Sequence, residues 1–401
     1  MARAEKRRKT TATDIIPDDL LIYEVLVHLP AKSLALCRCV CRSWRTGIAG
    51  AAFTRRHLEL SHKRPPSVLL IPRQIDYDDD QATSGYISFY RLSLPPGPVH
   101  GDTQPDCLFE RACHAGEGIT WLISPSHCDG LVAIATRTDR VVVCNPVTRE
   151  FLVLPDASHN AQLDHCEMVV PPVALGFDRW RNRYIVARCF YRTYGNISFD
   201  VGHEVFTLGG DDSCRSWEPT QDPPHAVGGT ERPICTRQAI YWHSDVPKPQ
   251  LMRFGLQHRK FDVVPCPPPG WDSNIEVTEL DGKLCYVRAT AEASFQVWLA
   301  DETPELQWSL RYRVDLLNPE PRVHYVLNPI AIDGDDALVA IGADTVCRYD
   351  VKGQGVEVLD MRSNMRYRSQ YMCPGRNYEL YAVPYIESLV TLIRACTGDT
   401  N

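Results

Sequence analysis

The sequence predicts a small all-α module at the N-terminus, followed by an all-β domain of β-propeller type with about six blades. Three observations lead there. Residues 14–45 carry apolar side chains at helical spacing. From Val68 onward the period changes to two, in short runs rich in β-branched and aromatic residues and bounded by Gly, Pro, Asp and Asn. Within that second region a strand–turn–strand pattern recurs, with markers Phe151, Trp217, Phe261, Trp308 and Val356 spaced by 66, 44, 47 and 48 residues. Repeats of that length built from several short strands are the signature of a propeller, and a β-sandwich does not call for them.

Taken from the start, residues 1–13 read as a basic polar tail, and Lys6, Arg7, Arg8 and Lys9 form a candidate nuclear-import run. The tail has no apolar stretch of the kind a secretory leader needs. Residues 14–62 read as the helical module. Pro17 suits a helix start, and Asp18 and Asp19 lie in the first turn, where negative charge favours the helix dipole. The run Leu20 to Leu29 is apolar on nearly every face, with Leu21, Val25 and Leu29 at four-residue intervals, and Pro30 stops it. A second helix is expected from Ser33, as N-cap, through Leu34, Leu36, Val40 and Trp44. A helix apolar nearly all round has to be buried nearly all round, and a segment this short does not bury such a surface alone. Its position ahead of the first strand points to a separate module with an external partner.

Residues 67–390 read as the β domain and 391–401 as a tail. Three hairpins align closely: Cys144 to Leu154, Phe254 to Val264 and Tyr349 to Leu359. Two looser copies are Glu204 to Trp217 and Gln296 to Trp308. Each follows another strand: Gly130–Ala135, Arg183–Phe190, Gln238–Trp242, Gly282–Val287 and Asp336–Ile341. Asp129-Gly130, Asp281-Gly282 and Asp333-Gly334 stand where tight turns are wanted. A sixth copy begins at Ser67–Leu70 and Gly85–Leu92. The last strand-like segment, Tyr378 to Pro384, has no partner after it and is expected to close the ring against the first blade.

The N-terminal pattern runs Ile16-Pro17, Asp19-Leu20-Leu21, Glu24-Val25-Leu26, Leu29-Pro30, Lys32-Ser33-Leu34 and Val40-Cys41-Arg42-Ser43-Trp44. It resembles the F-box, with Ile16 where Leu is usual and Cys37 where a larger apolar or basic residue is frequent. The remainder resembles the plant F-box-associated region, of kelch-like type. The supporting phrases are Cys128-Asp129-Gly130-Leu131, Cys144-Asn145-Pro146-Val147-Thr148-Arg149, Gly176-Phe177-Asp178, Glu204 to Gly209, Glu279 to Leu284 and Trp308-Ser309-Leu310. The resemblance implies a substrate-recruiting subunit of a Skp–cullin–F-box type ubiquitin ligase, without catalysis or cofactor of its own. The head would bind a Skp-type adaptor, and through it a cullin–RING ligase, while the β domain would hold a target protein whose identity is not implied. The adaptor-binding residues would be Pro17, Leu20, Leu21, Val25, Leu26, Leu29, Pro30, Leu34, Val40, Cys41 and Trp44.

Composition narrows the alternatives. At 44% hydrophobic and 23% charged, the 401-residue chain is not disordered throughout. No run approaches about 18 apolar residues, so no membrane helix is expected. Residues 1–65 hold 13 Lys/Arg against 6 Asp/Glu, leaving 30 against 44 for the rest. An acidic β domain is a poor fit to nucleic acid, whose phosphates need a basic surface. The 16 cysteines lack paired C-x-x-C spacing: Cys37, Cys39 and Cys41 alternate, and Cys144, Cys189, Cys235 and Cys285 stand singly in or beside apolar runs. Free thiols in a reducing compartment, nucleus or cytoplasm, are the economical reading. There is no G-x-S-x-G, H-E-x-x-H or P-loop. His159, His165 and Glu167 are close in sequence but sit in a polar stretch, and Asp76, Asp78, Asp79 and Asp80 lack the Gly and Glu of a calcium loop. Trp242 with His243, and Trp271, are candidates for a sugar or peptide site, though packing explains them as well. The alternative function is therefore a propeller enzyme or carbohydrate- or peptide-binding module carrying a vestigial helical head.

Overall fold

The computed structural model describes residues 16–64, 67–74, 84–93, 105–114, 124–136, 138–165, 172–195, 200–209, 216–227, 232–244, 250–264, 275–291, 294–302, 306–316, 327–333, 336–341, 345–350, 352, 355–359 and 378–392. The basic run Lys6–Lys9, the acidic run Asp76–Asp80, Glu167, Trp271 and Gly334 lie outside them. Two compact units emerge. One holds the chain to Arg64 together with Glu387–Leu389, and the other holds 65–386 and the residues from Val390 on. The three residues Glu387–Leu389 thus group with the head, although by sequence they belong to the β domain.

The head begins with α1 (Asp18–Leu20), which widens into a π-helical turn over Leu21–Val25 and tightens into a 3-10 turn over Leu26–His28. The π turn changes the expected stripe. Leu26 N–H reaches both Ile22 O and Leu21 O, so the inward positions become Ile22, Leu26 and Val27 instead of Leu21, Val25 and Leu29. Pro30 holds Leu29 extended, at φ −76° and ψ 154°, which ends the segment. The carbonyls this frees are taken up from afar: Arg64 Nη2 donates to His28 O at 2.8 Å, and His57 Nε2 lies 2.9 Å from Leu29 O.

The second helix departs from expectation at both ends. It is α2 (Ala31–Cys37), with Pro30 in the N-cap position and Ser33 inside the helix. With the start moved back, the first-turn donor is met from far along the chain, since Ala31 N–H donates to Glu387 Oε2 at 3.0 Å. The helix also stops before Val40. Bonds of i→i+3 type close it (Cys39 N–H to Leu36 O, Val40 N–H to Cys37 O), and Cys41 then becomes extended. Cys41 Sγ accepts from Trp44 N–H at 3.4 Å and caps a separate helix, α3 (Arg42–Ala49). A fourth, α4 (Ala51–Ser61), buries Phe53, His57 and Ser61, four residues apart. Buried Ile22, Leu26, Val27, Leu34, Ile48 and Phe53 supply the head with a small core of its own.

The β unit is six four-stranded antiparallel sheets. The first contains β1 (Ser67–Gln74), β2 (Ser84–Ser93) and β3 (Asp106–His114). The second is β4 (Ser124–Cys128), β5 (Leu131–Ala135), β6 (Val141–Asn145) and β7 (Glu150–Val153). The third is β8 (Val173–Asp178), β9 (Arg183–Thr193), β10 (Asp200–Thr207) and β11 (Glu218–Pro219). The fourth is β12 (Ile234–Cys235), β13 (Ala239–His243), β14 (Leu251–Gly255) and β15 (Lys260–Val264). The fifth is β16 (Ile275–Leu280), β17 (Lys283–Ala291), β18 (Ser294–Asp301) and β19 (Gln307–Asp315). The sixth is β20 (Leu327–Asp333), β21 (Asp336–Ile341), β22 (Thr345–Asp350) and β23 (Val356–Leu359). The first sheet is completed by the last strand, β24 (Tyr378–Tyr385), which pairs antiparallel with β1 from Ser67↔Tyr385 to Gln74↔Tyr378. The inner strands touch in succession: β4 with β8, β8 with β12, β12 with β16, β16 with β20 and β20 with β24. This is a six-bladed propeller closed by pairing the chain's two ends, which removes the exposed edges an open sheet series would have.

All five repeated hairpins fall on the third and fourth strands of a sheet, and the strands expected before them are β5, β9, β13, β17 and β21. Asp129-Gly130 and Asp281-Gly282 have positive φ at both positions, as two-residue hairpin turns require. The strands read as continuous apolar runs because both faces of a blade are covered. In β1, Leu69 and Ile71 pack toward the second sheet, while Val68 and Leu70 pack toward the sixth.

Candidate functional site

Two surfaces have the makings of a site. The first is on the head. Burial of Leu26 at 5% exposure and Leu34 at 0% places both in the core, so they support a surface from beneath instead of forming it. Leu20 (52%), Val25 (52%) and Val40 (65%) are exposed, as are Pro17, Pro30 and Cys41, while Leu21, Leu29 and Trp44 are half-buried. Sequence reasoning left out Ile16, Tyr23 and Leu36, the last 72% exposed. Leu36 was discoverable: two residues beyond buried Leu34 on one helix, it has to face away from the core. So many large apolar side chains in water on one small module are the signature of a surface that something else covers.

This surface is backed by ring contacts within the head. Tyr23 leans on Phe53 with ring centroids 6.2 Å apart, and Phe53 stacks on His57 at 6.3 Å. Burial lowers the pKa of His57, opposed by its bond to Leu29 O and assisted by the Arg64 guanidinium. His57 is therefore a neutral structural group.

The second surface is where the inner strands converge. His127 on β4 and Tyr381 on β24 meet edge to face, with centroids 6.4 Å apart. The Arg232 guanidinium, from the residues leading into β12, stands 4.6 Å over the same Tyr381 ring. Burial first, and the Arg232 charge second, hold the His127 pKa down to about 4, while Asp129 pulls it upward. Nearby, Tyr184 donates from its hydroxyl to Asp129 Oδ2 at 3.0 Å. Glu279 accepts from Gly282 N–H, and burial raises its pKa to about 7. The thiols of Cys128 and Cys235 are pushed up by burial, which makes them poor nucleophiles.

Other residues singled out by sequence take structural places. Trp242 is fully buried in the core between the third and fourth sheets. His159 pairs with Asp164 at 2.9 Å on the surface, and His165 leans on Tyr194. Among the described residues no three His, Cys, Asp or Glu side chains gather as a metal site.

The family model for the F-box associated beta propeller domain matches residues 108–332. The chain belongs to that family. An F-box domain model matches residues 14–54, which covers α1 to the start of α4. An F-box/LRR-repeat protein of Arabidopsis thaliana is 24% identical over 97% of this chain and 85% of its own length. A putative F-box protein of the same plant is 25% identical over 94% of this chain and 100% of its own, and a putative F-box/kelch-repeat protein is 24% identical over 90% and 88%. The F-box and the propeller are thus both accounted for in this F-box protein.

Proposed function

We propose that this F-box protein is the substrate-recognition subunit of a Skp–cullin–F-box type ubiquitin ligase. Its head would bind a Skp-type adaptor, its propeller would hold a target protein, and no bond would be made or broken on the chain itself. The observation that carries the reading is the set of exposed apolar side chains Leu20, Val25, Leu36 and Val40 on a module whose core is already filled. A subunit of this kind contributes effective concentration and orientation, bringing a target lysine within reach of a ligase held on the adaptor. The free thiols among the described cysteines, and the Lys6–Lys9 run, fit a nuclear or cytoplasmic setting.

The test is a reconstituted ubiquitylation assay with adaptor, cullin and RING components. Full burial of a Leu is worth roughly 1.5–3 kcal/mol, so Leu20→Ala with Val25→Ala should weaken adaptor capture by about 10²-fold while the head stays folded. That variant would still hold its target and so should shield it from modification. Equal capture of the adaptor by wild type and variant would overturn the reading, as would ubiquitin transfer by this chain without any adaptor.

A further inference from the structure

Arg232, His127 and Tyr381 come from three different places around the ring. Following the inner strands in order, β24 and β4 are neighbours, whereas β12 is three steps from β24, on the opposite side. The Arg232 guanidinium nevertheless reaches the Tyr381 ring at 4.6 Å, so this side chain crosses the space the inner strands enclose. Arg232 and His127 are each half-buried, and neither makes a hydrogen bond or ion pair among the described residues. That sets Arg232 apart from Arg91, Arg181, Arg188, Arg192, Arg253 and Arg259, each of which meets a carboxylate within 2.9 Å. A guanidinium stacked on an aromatic ring has its plane oriented while its edge donors stay free. A neutral imidazole beside it offers one more N–H.

We propose that these three residues form a receptor for an oxyanion, a phosphoryl or carboxylate group, carried by the recruited target. The proposal rests on the reading that the propeller recruits a target, and it names the chemistry recognised. Arg232 would pair with two anion oxygens through its fork of donors, His127 would donate to a third position, and Tyr381 would hold the guanidinium plane in place. Arg232 lies two residues before β12, Tyr381 in the middle of β24 and His127 two residues before the 129–130 turn, so the receptor lies within the ring of inner strands. The overall acidity of the β domain raises the selectivity of such a site, since an anion gains little from the surface around it.

The experiment titrates the full chain calorimetrically, at constant ionic strength, with inorganic phosphate and separately with acetate. Saturable binding of either is expected. Phosphate alone assigns a phosphorylated target, acetate alone an acidic side chain or chain end, and both assign an oxyanion of either kind. Arg232→Gln should weaken binding at least tenfold, Arg232→Lys less, and His127→Asn a few-fold, each with a thermal unfolding profile like the wild type's. Arg311→Gln, an exposed arginine on β19, should change nothing. The receptor is overturned if neither probe binds the wild type saturably, or if folded Arg232→Gln binds as tightly as wild type. Adaptor capture is read on the same samples. Capture without anion binding sinks the receptor alone, and anion binding without capture sinks the ligase reading alone.

Discussion

At the scale of single residues, similar apolar side chains in the head have opposite duties. Leu34 is enclosed and Leu20 is half in water, although both are leucines in helices of one small module. Leu34→Ala should therefore cost about 2–5 kcal/mol of head stability, seen as early loss of the helical circular dichroism signal, because it opens a cavity. Leu20→Ala should leave that signal unmoved. In the propeller, His203 packs against Trp242, Phe254 and Phe261, and its Nδ1 meets the Thr220 hydroxyl. Burial holds its pKa down to about 3 against an ordinary 6.5, with Asp222 pulling weakly the other way. Between those values the unfolded chain carries the extra proton. The stability His203 contributes is thus complete above about pH 6.5 and is lost as the pH falls toward 3, at up to about 1.4 kcal/mol per pH unit. Urea unfolding of the propeller at pH 7, 6, 5 and 4 should show this slope, steepened by His127, whose pKa is about 4. His203→Phe should make the slope shallower.

At the scale of elements, the repeat shows how a turn is specified. Arg149 and Arg259 occupy the same place in aligned hairpins, both with positive φ (61° and 51°), and their N–H groups close onto Asn145 O and Gly255 O at 2.8 Å. The left-handed conformation disfavours a side chain, and Arg149 is exposed. Arg149→Gly should stabilise the propeller by about 0.5–1 kcal/mol, read as a raised midpoint in urea; an unchanged or lowered midpoint would contradict this account. The element level also holds what the hydrophobic pattern conceals. Arg188, in the middle of apolar β9, is 1% exposed, and it reaches Asp139 Oδ1 at 2.9 Å and Ser158 O at 2.7 Å. Its partners lie 49 and 30 residues away. No local rule pairs them, so an arginine in a strand reads as a solvent-facing residue until the neighbouring blade is in view.

At the scale of the whole molecule, closure is the organising fact. β24 is the inner strand of the first sheet while β1, β2 and β3 come from the domain's beginning, so folding has to join segments more than 300 residues apart. Such long-range pairing is slow to form. Truncation before Tyr378 should leave β1 with an unpaired edge at the centre of the ring, and should give aggregation or loss of a single cooperative melt. A soluble, cooperatively melting truncation would show that closure is dispensable. The head depends on the far end too: Glu387 supplies the acceptor for Ala31 N–H, and Ser388 and Leu389 are buried. An isolated fragment of residues 1–64 should accordingly melt less cooperatively than the same residues in the full chain, as followed by circular dichroism.

By itself the sequence determined what depends on neighbours along the chain. The change of period near Val68 marked helical from β structure, because 3.6 and 2 are set by the backbone alone. The recurring hairpins marked the blades, because each blade repeats the same local strand–turn–strand geometry, and the unpartnered last strand implied closure. The excess of apolar residues in the head signalled a partner surface, since no local arrangement hides them. Tertiary structure decided the rest. It sorted Leu26 into the core and Leu20 and Val25 onto the surface, through a π turn that shifts the inward face by one residue, and on α2 it set Leu34 inward and Leu36 outward. It moved the start of α2 back to Ala31 with an acceptor from Glu387, 356 residues away. It brought Arg232 from one side of the ring over Tyr381 on the other, because only the closed circle of sheets makes residues of the first, second and fourth blades neighbours.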